Sequence, residues 1–180
     1  RRELLVHFQP EVHLHTREVI GMEALVRWRH PERGMLQAGE FIEVAEESGL
    51  IHEIGRYVLG QACREFAQLD RRRREGIALR INISAREFVR GDLVARVAEA
   101  LHESQVEPHE LCLEVTEHTI MSHPELADRQ FELLEALGVR FAIDDFGIGY
   151  SSFSHIKRFP VAVIKIDRSF VADLPAGREV

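Results

Sequence analysis

Six polar residues set among greasy strand-like segments carry the chemistry open to this chain: Glu23, Asn82, Glu114, Asp144, Asp145 and Lys165. Carboxylates and an amide oxygen are hard donors, suited to Mg²⁺ or Mn²⁺ and poorly suited to zinc, which prefers imidazole and thiolate. No histidine cluster competes for that role. Adjacent Asp144 and Asp145 would point to opposite faces of a strand, but the strand ends at Phe146-Gly147, so the second aspartate is expected to turn back toward the site. One carboxylate bridging two ions while its neighbour holds the second is the usual plan of a two-metal phosphoryl site. Lys165 has two readings. It is either a salt-bridge partner for the acidic residues or a cation that orients the attacking water and favours hydroxide.

A lone acid at a strand end is more often a surface charge or a helix cap than a ligand. Five strands delivering such groups to one level is harder to produce by chance, so the elements matter. Segments rich in branched apolar residues predict strands over 5–9, 19–28, 78–84, 111–115, 139–144 and 162–166. Helical patterns fall over 39–48, 51–69, 92–103 and 124–137, with a shorter one from Ser151, and Gly138 supplies a helix stop. The first two strands read as a hairpin joined across Thr16 to Glu18. The rest alternate with helices, as a parallel sheet requires.

Alternation within the strands chooses between sheet types. Leu79, Ile81 and Ile83 oppose Arg80, Asn82 and Ser84; Leu111, Leu113 and Val115 oppose Cys112 and Glu114; Phe141 and Ile143 oppose Ala142 and Asp144; Ile164 and Ile166 oppose Lys165. A doubly wound sheet is covered on both faces and would be apolar on both. An α/β TIM-like (β/α) barrel with an antiparallel opening strand fits better, because its outer face packs on helices while its inner face lines a site at the C-terminal strand ends. A full barrel runs to about 250 residues. Six strands therefore amount to roughly three quarters of the expected eight.

The wider composition narrows the function classes. With 23 Lys+Arg against 30 Asp+Glu in 180 residues, the net charge is −7, and 45% of residues are hydrophobic. That is a globular chain with material for a core. An acidic balance disfavours wholesale binding of a nucleic-acid polymer or anionic lipid, so a phosphate-bearing substrate needs metal ions or a few placed Arg and Lys. Cys63 and Cys112 read as buried thiols in a cytoplasmic setting, and no run reaches a membrane span.

The motifs resemble those of EAL domains. They are Gln9-Pro10, Glu23-Ala24-Leu25 within EALVRWRHP, FIEVAEESGLI at 41–51, NIS at 82–84, ExTE at 114–117, DDFGIGYSS at 144–152 and KIDRSF at 165–170. The ordered set covers essentially the whole chain, which therefore reads as one EAL domain over 1–180. The resemblance implies a TIM-like barrel that hydrolyses the bacterial second messenger cyclic di-GMP to linear pGpG with two Mg²⁺ or Mn²⁺ ions. Carried over by position, Glu23, Asn82, Glu114 and Asp144 bind metal and Asp145 serves the other ion. Lys165 positions water, Glu117 steadies the loop after DDFG, and Gln9, Leu25 and Arg27 contact the dinucleotide. The resemblance further implies a homodimer and fused GGDEF or sensory domains. Its rival outcome is a catalytically silent EAL domain that only senses cyclic di-GMP.

Two departures from the family pattern stand out. Ile148 replaces the usual threonine, removing a hydroxyl from a segment linked to metal binding and dimer contacts. The family continues into two more strands with an EGVE-like motif beyond Val180, so residues 1–180 alone are expected to be unstable and inactive. Three further features read as incidental. Arg71 to Arg74 is a solvated loop between helix and strand. His13 and His15 sit in a turn away from the acids. Gly147-x-Gly149 is a hinge, too short for a nucleotide fingerprint.

Overall fold

In the computed structural model, described over residues 3–147 and 159–172, seven strands form one mixed sheet. Strands β1 (Leu4–Val12) and β2 (Val19–His30) pair antiparallel. Their connection is built by His13, whose backbone N–H donates to the Glu18 carbonyl at 2.8 Å and whose Nδ1 accepts from the Thr16 N–H at 3.2 Å. His13 thus serves the turn. A third strand, β3 (Gly34–Gln37), folds back antiparallel on the end of β2. It is absent from the sequence expectation, because four residues are too few to show a period; its anchor is the buried Leu36.

From β2 onward the main path is parallel: β4 (Ala78–Asn82), β5 (Leu111–Thr116), β6 (Arg140–Phe146) and β7 (Val161–Ile166), in the order β1-β2-β4-β5-β6-β7. The connecting helices are α1 (Ile42–Ser48), α2 (Ile51–Ala67), α3 (Arg71–Arg74), α4 (Ala85–Val89), α5 (Leu93–Ser104), α6 (Glu117–Ser122) and α7 (Pro124–Ala136). This is the TIM-like arrangement with an antiparallel opening strand. The path runs from β1 to β7 without a hydrogen-bonded seam between them. The helix expected over 39–48 is divided, with a 3-10 turn at Ala38–Glu40 preceding α1. The helix expected from Ser151, Ile148 and the Gly149 end of the hinge lie outside the described residues.

Strand alternation separates two environments. Leu79 and Ile81, Leu111 and Leu113, and Phe141 and Ile143 are buried among Leu59 and Phe66 of α2, Leu93 and Val97 of α5, and Phe131 and Leu134 of α7. Phe131 is central, meeting Phe141 edge-on at 4.3 Å and Phe159 at 5.1 Å, a favoured aromatic geometry. The outer face of β7 departs from this pattern: Ile164 and Ile166 are exposed, although the alternation predicts a covered face.

Two buried ion pairs fasten helices to this core. Arg96 Nη2 lies 2.6 Å from Glu87 Oε1, both side chains being buried. Glu87 also accepts from the Ser84 N–H and Oγ–H, closing a capping box at the start of α4. Gly55 of α2 leaves room for it, since a β-carbon there would overlap the Glu87 carboxylate. Because Ser84 follows Asn82 by two residues, this network fixes the strand end that carries Asn82. The second pair overturns the expectation of a solvated Arg71 to Arg74 loop. The segment is helical; Arg74 is buried, its Nη1 3.2 Å from Glu110 Oε2 and its guanidinium 5.4 Å from the Phe66 ring centre. A charge run reads as solvent-facing, but one turn of helix rotates its last member inward, where an acid and an aromatic face receive it.

Candidate active site

The polar inner face converges on one ammonium. Lys165 Nζ, from β7, lies 2.6 Å from Glu114 Oε2 on β5, 3.0 Å from Glu23 Oε2 on β2 and 3.5 Å from Asp144 Oδ2 on β6. Asn82 Nδ2, from β4, donates to Glu23 Oε1 at 2.8 Å. Five strands thus contribute to one cluster: β4, β5, β6 and β7 place a polar residue inward in their C-terminal halves, and β2 does so near the end of its parallel pairing with β4.

Burial grades the electrostatics. Glu114 is 1% exposed. Burial pushes its carboxyl up to about 7, against the pull of Lys165, while Glu23 and Asp144 add to the rise. Burial works against the charge of Lys165, yet the Glu114, Asp144 and Glu23 carboxylates outweigh it and hold the ammonium well above its usual range. Glu114 Oε1 is buried and has no hydrogen-bond partner among the described residues. Arg80 Nη1 lies 3.9 Å from it.

A tight turn follows the aspartates. Asp145 sits at φ 53° and Gly147 at φ 101°. Asp144 Oδ1 accepts the Asp145 N–H at 3.0 Å, and Glu117 Oε2 accepts the Gly147 N–H at 3.0 Å. Glu117 is held in place by α6, whose N-cap Thr116 side chain accepts the Thr119 N–H at 3.3 Å. Phe170 closes the turn from the other side, and a β-carbon on Gly147 would lie 2.9 Å from its ring. Asp145 itself is exposed and is not one of the three carboxylates that bond Lys165.

Among the described residues, no group of three or more His, Cys, Asp or Glu is arranged to hold a metal ion. The physical reason is that Lys165 draws the carboxylates onto its own nitrogen. Three carboxylates around one ammonium still leave excess negative charge, and the bare, buried Glu114 Oε1 is an oxygen awaiting a donor or a cation. Hard oxygens in that state suit Mg²⁺ or Mn²⁺, so the residues fit such ions.

The EAL domain family matches residues 1–180. The chain is an EAL domain. It is 42% identical over 174 residues to the bifunctional diguanylate cyclase/cyclic di-GMP phosphodiesterase MucR of Pseudomonas aeruginosa, covering 97% of this chain and 25% of that protein. It is 40% identical over 176 residues to the cyclic di-GMP phosphodiesterase NbdA of the same organism, covering 98% of this chain and 22% of that protein. The chain therefore spans about a quarter of the length of these curated relatives. Among solved structures, the PaMucR phosphodiesterase in complex with c-di-GMP matches with a TM-score of 0.92 at 41% identity, over 98% of this chain and 71% of that one. The FimX EAL domain from Pseudomonas aeruginosa bound to c-di-GMP matches with a TM-score of 0.84 at 27% identity, over 96% and 69%.

The EAL tripeptide makes physical sense in β2. Ala24 is 3% exposed on the helix-facing side, while Glu23 and Leu25 point inward on either side of it. Register sets Gln9 opposite Glu23 and Leu5 opposite Arg27, so Gln9, Leu25 and Arg27 share the inner face with the acids. Gln9 is exposed, and Arg27 Nη1 donates to its own neighbour's carbonyl, that of Val26, at 2.9 Å. Two residues absent from the expected site also occupy that face, Arg80 and Glu11. Arg80 shows itself in the strand alternation as an inward charge, and Glu11 lies two residues beyond Gln9. Their pairing joins positions 69 residues apart, a separation that no local pattern reveals. No helix among the described residues is long and apolar enough to cross a membrane.

Proposed function

We propose that this EAL domain is a metal-dependent phosphodiesterase that hydrolyses cyclic di-GMP to linear pGpG. The observation that carries the reading is the convergence of Glu23, Glu114 and Asp144 on one point, with a buried Glu114 oxygen that has no hydrogen-bond partner among the described residues. The names of MucR and NbdA supply the substrate. In this reading Glu23, Asn82, Glu114 and Asp144, with Asp145 toward a second position, hold two Mg²⁺ or Mn²⁺ ions. Bound there, such ions supply an acidified water and neutralise charge on the phosphate.

The chain's own residues do the rest. Gln9, Leu25 and Arg27 bind the dinucleotide on the β1-β2 side, Arg27 being suited to a phosphate oxygen. Lys165 leaves the carboxylates for the attacking water and holds its oxygen in line with phosphorus. The water gives up one proton as its oxygen bonds to phosphorus, the P–O3′ bond breaks and the leaving 3′ oxygen takes up a proton in exchange, so one water is added overall and the product is the 5′-phosphorylated linear dinucleotide. Glu117 maintains the turn that carries Asp145. We further propose a cytoplasmic domain that works as a homodimer and is fused to GGDEF or sensory partners; the two activities in MucR's name support the fusion.

The test is turnover of cyclic di-GMP by the full-length protein with Mg²⁺ or Mn²⁺, with pGpG resolved by chromatography. Wild type is expected to form pGpG, and Glu23→Ala and Asp144→Asn to abolish it. Undiminished hydrolysis in either variant contradicts the assignment. Tight binding of cyclic di-GMP by wild type with no pGpG would instead identify a receptor.

A further inference from the structure

Below the acidic cluster, the inner face carries a charge pair that the reaction itself does not use. Arg80 is buried on β4, and its Nε meets Glu11 Oε2 of β1 at 2.5 Å. Its Nη1 lies 3.5 Å from Cys112 Sγ and 3.9 Å from Glu114 Oε1. The last distance is within ion-pair reach but beyond a hydrogen bond. Arg80 is therefore adjacent to the one Glu114 oxygen that lacks a hydrogen-bond partner among the described residues, and yet does not bond it.

A guanidinium this close to a bare buried carboxylate oxygen has a strong reason to close the gap, since an unsatisfied buried acceptor is costly. What opposes closure is Glu11, which holds the Nε side of the guanidinium, while the Cys112 sulfur takes the Nη1 N–H at 3.5 Å. The sheet is shaped for that contact. Gly21, opposite Glu11 in the hairpin register, has no side chain; a β-carbon there would fall 2.6 Å from Glu11 Oε2 and 3.3 Å from Arg80 Nε.

We infer that Glu11 is a positioning residue: by engaging Arg80 from below, it keeps the guanidinium off Glu114 Oε1 and leaves that oxygen free to ligate a divalent cation. The inference rests on the proposed metal-binding role of Glu114. Without Glu11, Arg80 bonds Glu114 and competes with the cation. Substrate contacts at Gln9, Leu25 and Arg27 are untouched.

The test measures Mn²⁺ affinity of the full-length protein by titration calorimetry, alongside kcat and KM for cyclic di-GMP. Glu11→Gln is expected to weaken Mn²⁺ binding about tenfold or more, the usual scale for residues supporting a metal ligand, and to lower kcat with KM nearly unchanged. The double variant Glu11→Gln/Arg80→Gln removes the competitor and is expected to regain most of the lost Mn²⁺ affinity, which a merely structural role for Glu11 would not allow. Gly21→Ala keeps both charges while forcing Glu11 aside, and is expected to weaken Mn²⁺ binding in the same direction. Wild-type affinity in Glu11→Gln overturns the inference, as does a loss that persists in a folded double variant. If the double variant does not fold, unchanged affinity in Gly21→Ala overturns it. Failure of the wild-type protein to bind Mn²⁺ at all is a different result, and removes the metal-site reading together with this inference.

Discussion

Truncating Glu117 is the sharpest probe of how the turn after the aspartates is held. Its carboxylate is buried at the start of α6 and accepts the Gly147 N–H at 3.0 Å. The turn it fastens contains Asp145 at φ 53°, a left-handed backbone that costs a non-glycine residue roughly 1–2 kcal/mol. A hydrogen bond to a charged group contributes about 1.5–3 kcal/mol, enough to offset that strain. Glu117→Ala removes it and lowers the ratio of formed to unformed turn by about 10- to 150-fold, at a factor of ten per 1.4 kcal/mol. Glu117→Gln keeps an acceptor but loses the charge, and is expected to fall between. Turnover of cyclic di-GMP should follow this order in kcat, with KM little changed, because Gln9, Leu25 and Arg27 lie on other strands. Hydrogen exchange at the Gly147 amide should accelerate in parallel. A Glu117→Ala protein with kcat within threefold of wild type and a protected Gly147 amide would refute the reasoning.

Three other outcomes follow from the same geometry. Gly147→Ala sets a β-carbon 2.9 Å from the Phe170 ring at φ 101° and is expected to reduce kcat about as much as Glu117→Ala; wild-type turnover would contradict the turn. Arg96→Met strands the buried Glu87 carboxylate and is expected to cost about 3–5 kcal/mol in a denaturant melt, so a loss under 1 kcal/mol would show that the pair does not anchor α4. Burial raises the Glu114 pKa from an ordinary 4.5 to about 7. The folded state therefore retains a proton that the unfolded chain releases. In chelator, this contribution to stability is full below about pH 4.5 and is lost as pH rises through 7. Since a divalent cation replaces that proton, the rise in Tm on adding Mn²⁺ should be small at pH 5.5 and grow through pH 7 to 8; a pH-independent increment would count against Glu114 as a ligand.

What the sequence made legible was the part governed by alternation. Leu79 and Ile81 against Arg80 and Asn82, or Leu113 against Glu114, separates a helix-facing side from a polar interior, and the acids of separate strands then meet without further information. Where two local signals overlapped, the reading blurred. Ser84-x-x-Glu87 is a capping box, yet Ser84 also continues the alternation of β4 on its polar side, so the strand reads two residues too long. Thr116 likewise ends β5 and caps α6 at once. Arg74 escaped detection because its burial depends on Glu110 and Phe66, neither of which is a sequence neighbour. Glu11 and Arg80 escaped for the same reason, being joined only when β1 and β4 close around β2. Of the two readings of Lys165, the structure shows the salt-bridge partner, with three of the acids on its nitrogen.

The central claim is that Glu23, Glu114 and Asp144 form a cation site at which Lys165 stands in when no metal is bound. Anomalous diffraction from crystals of the full-length protein grown with Mn²⁺ tests it most directly. The account predicts Mn²⁺ density among these three carboxylates, with Lys165 Nζ withdrawn from Glu114. Crystals in which Lys165 keeps all three contacts, with no Mn²⁺ beside them at saturating concentration, would contradict it.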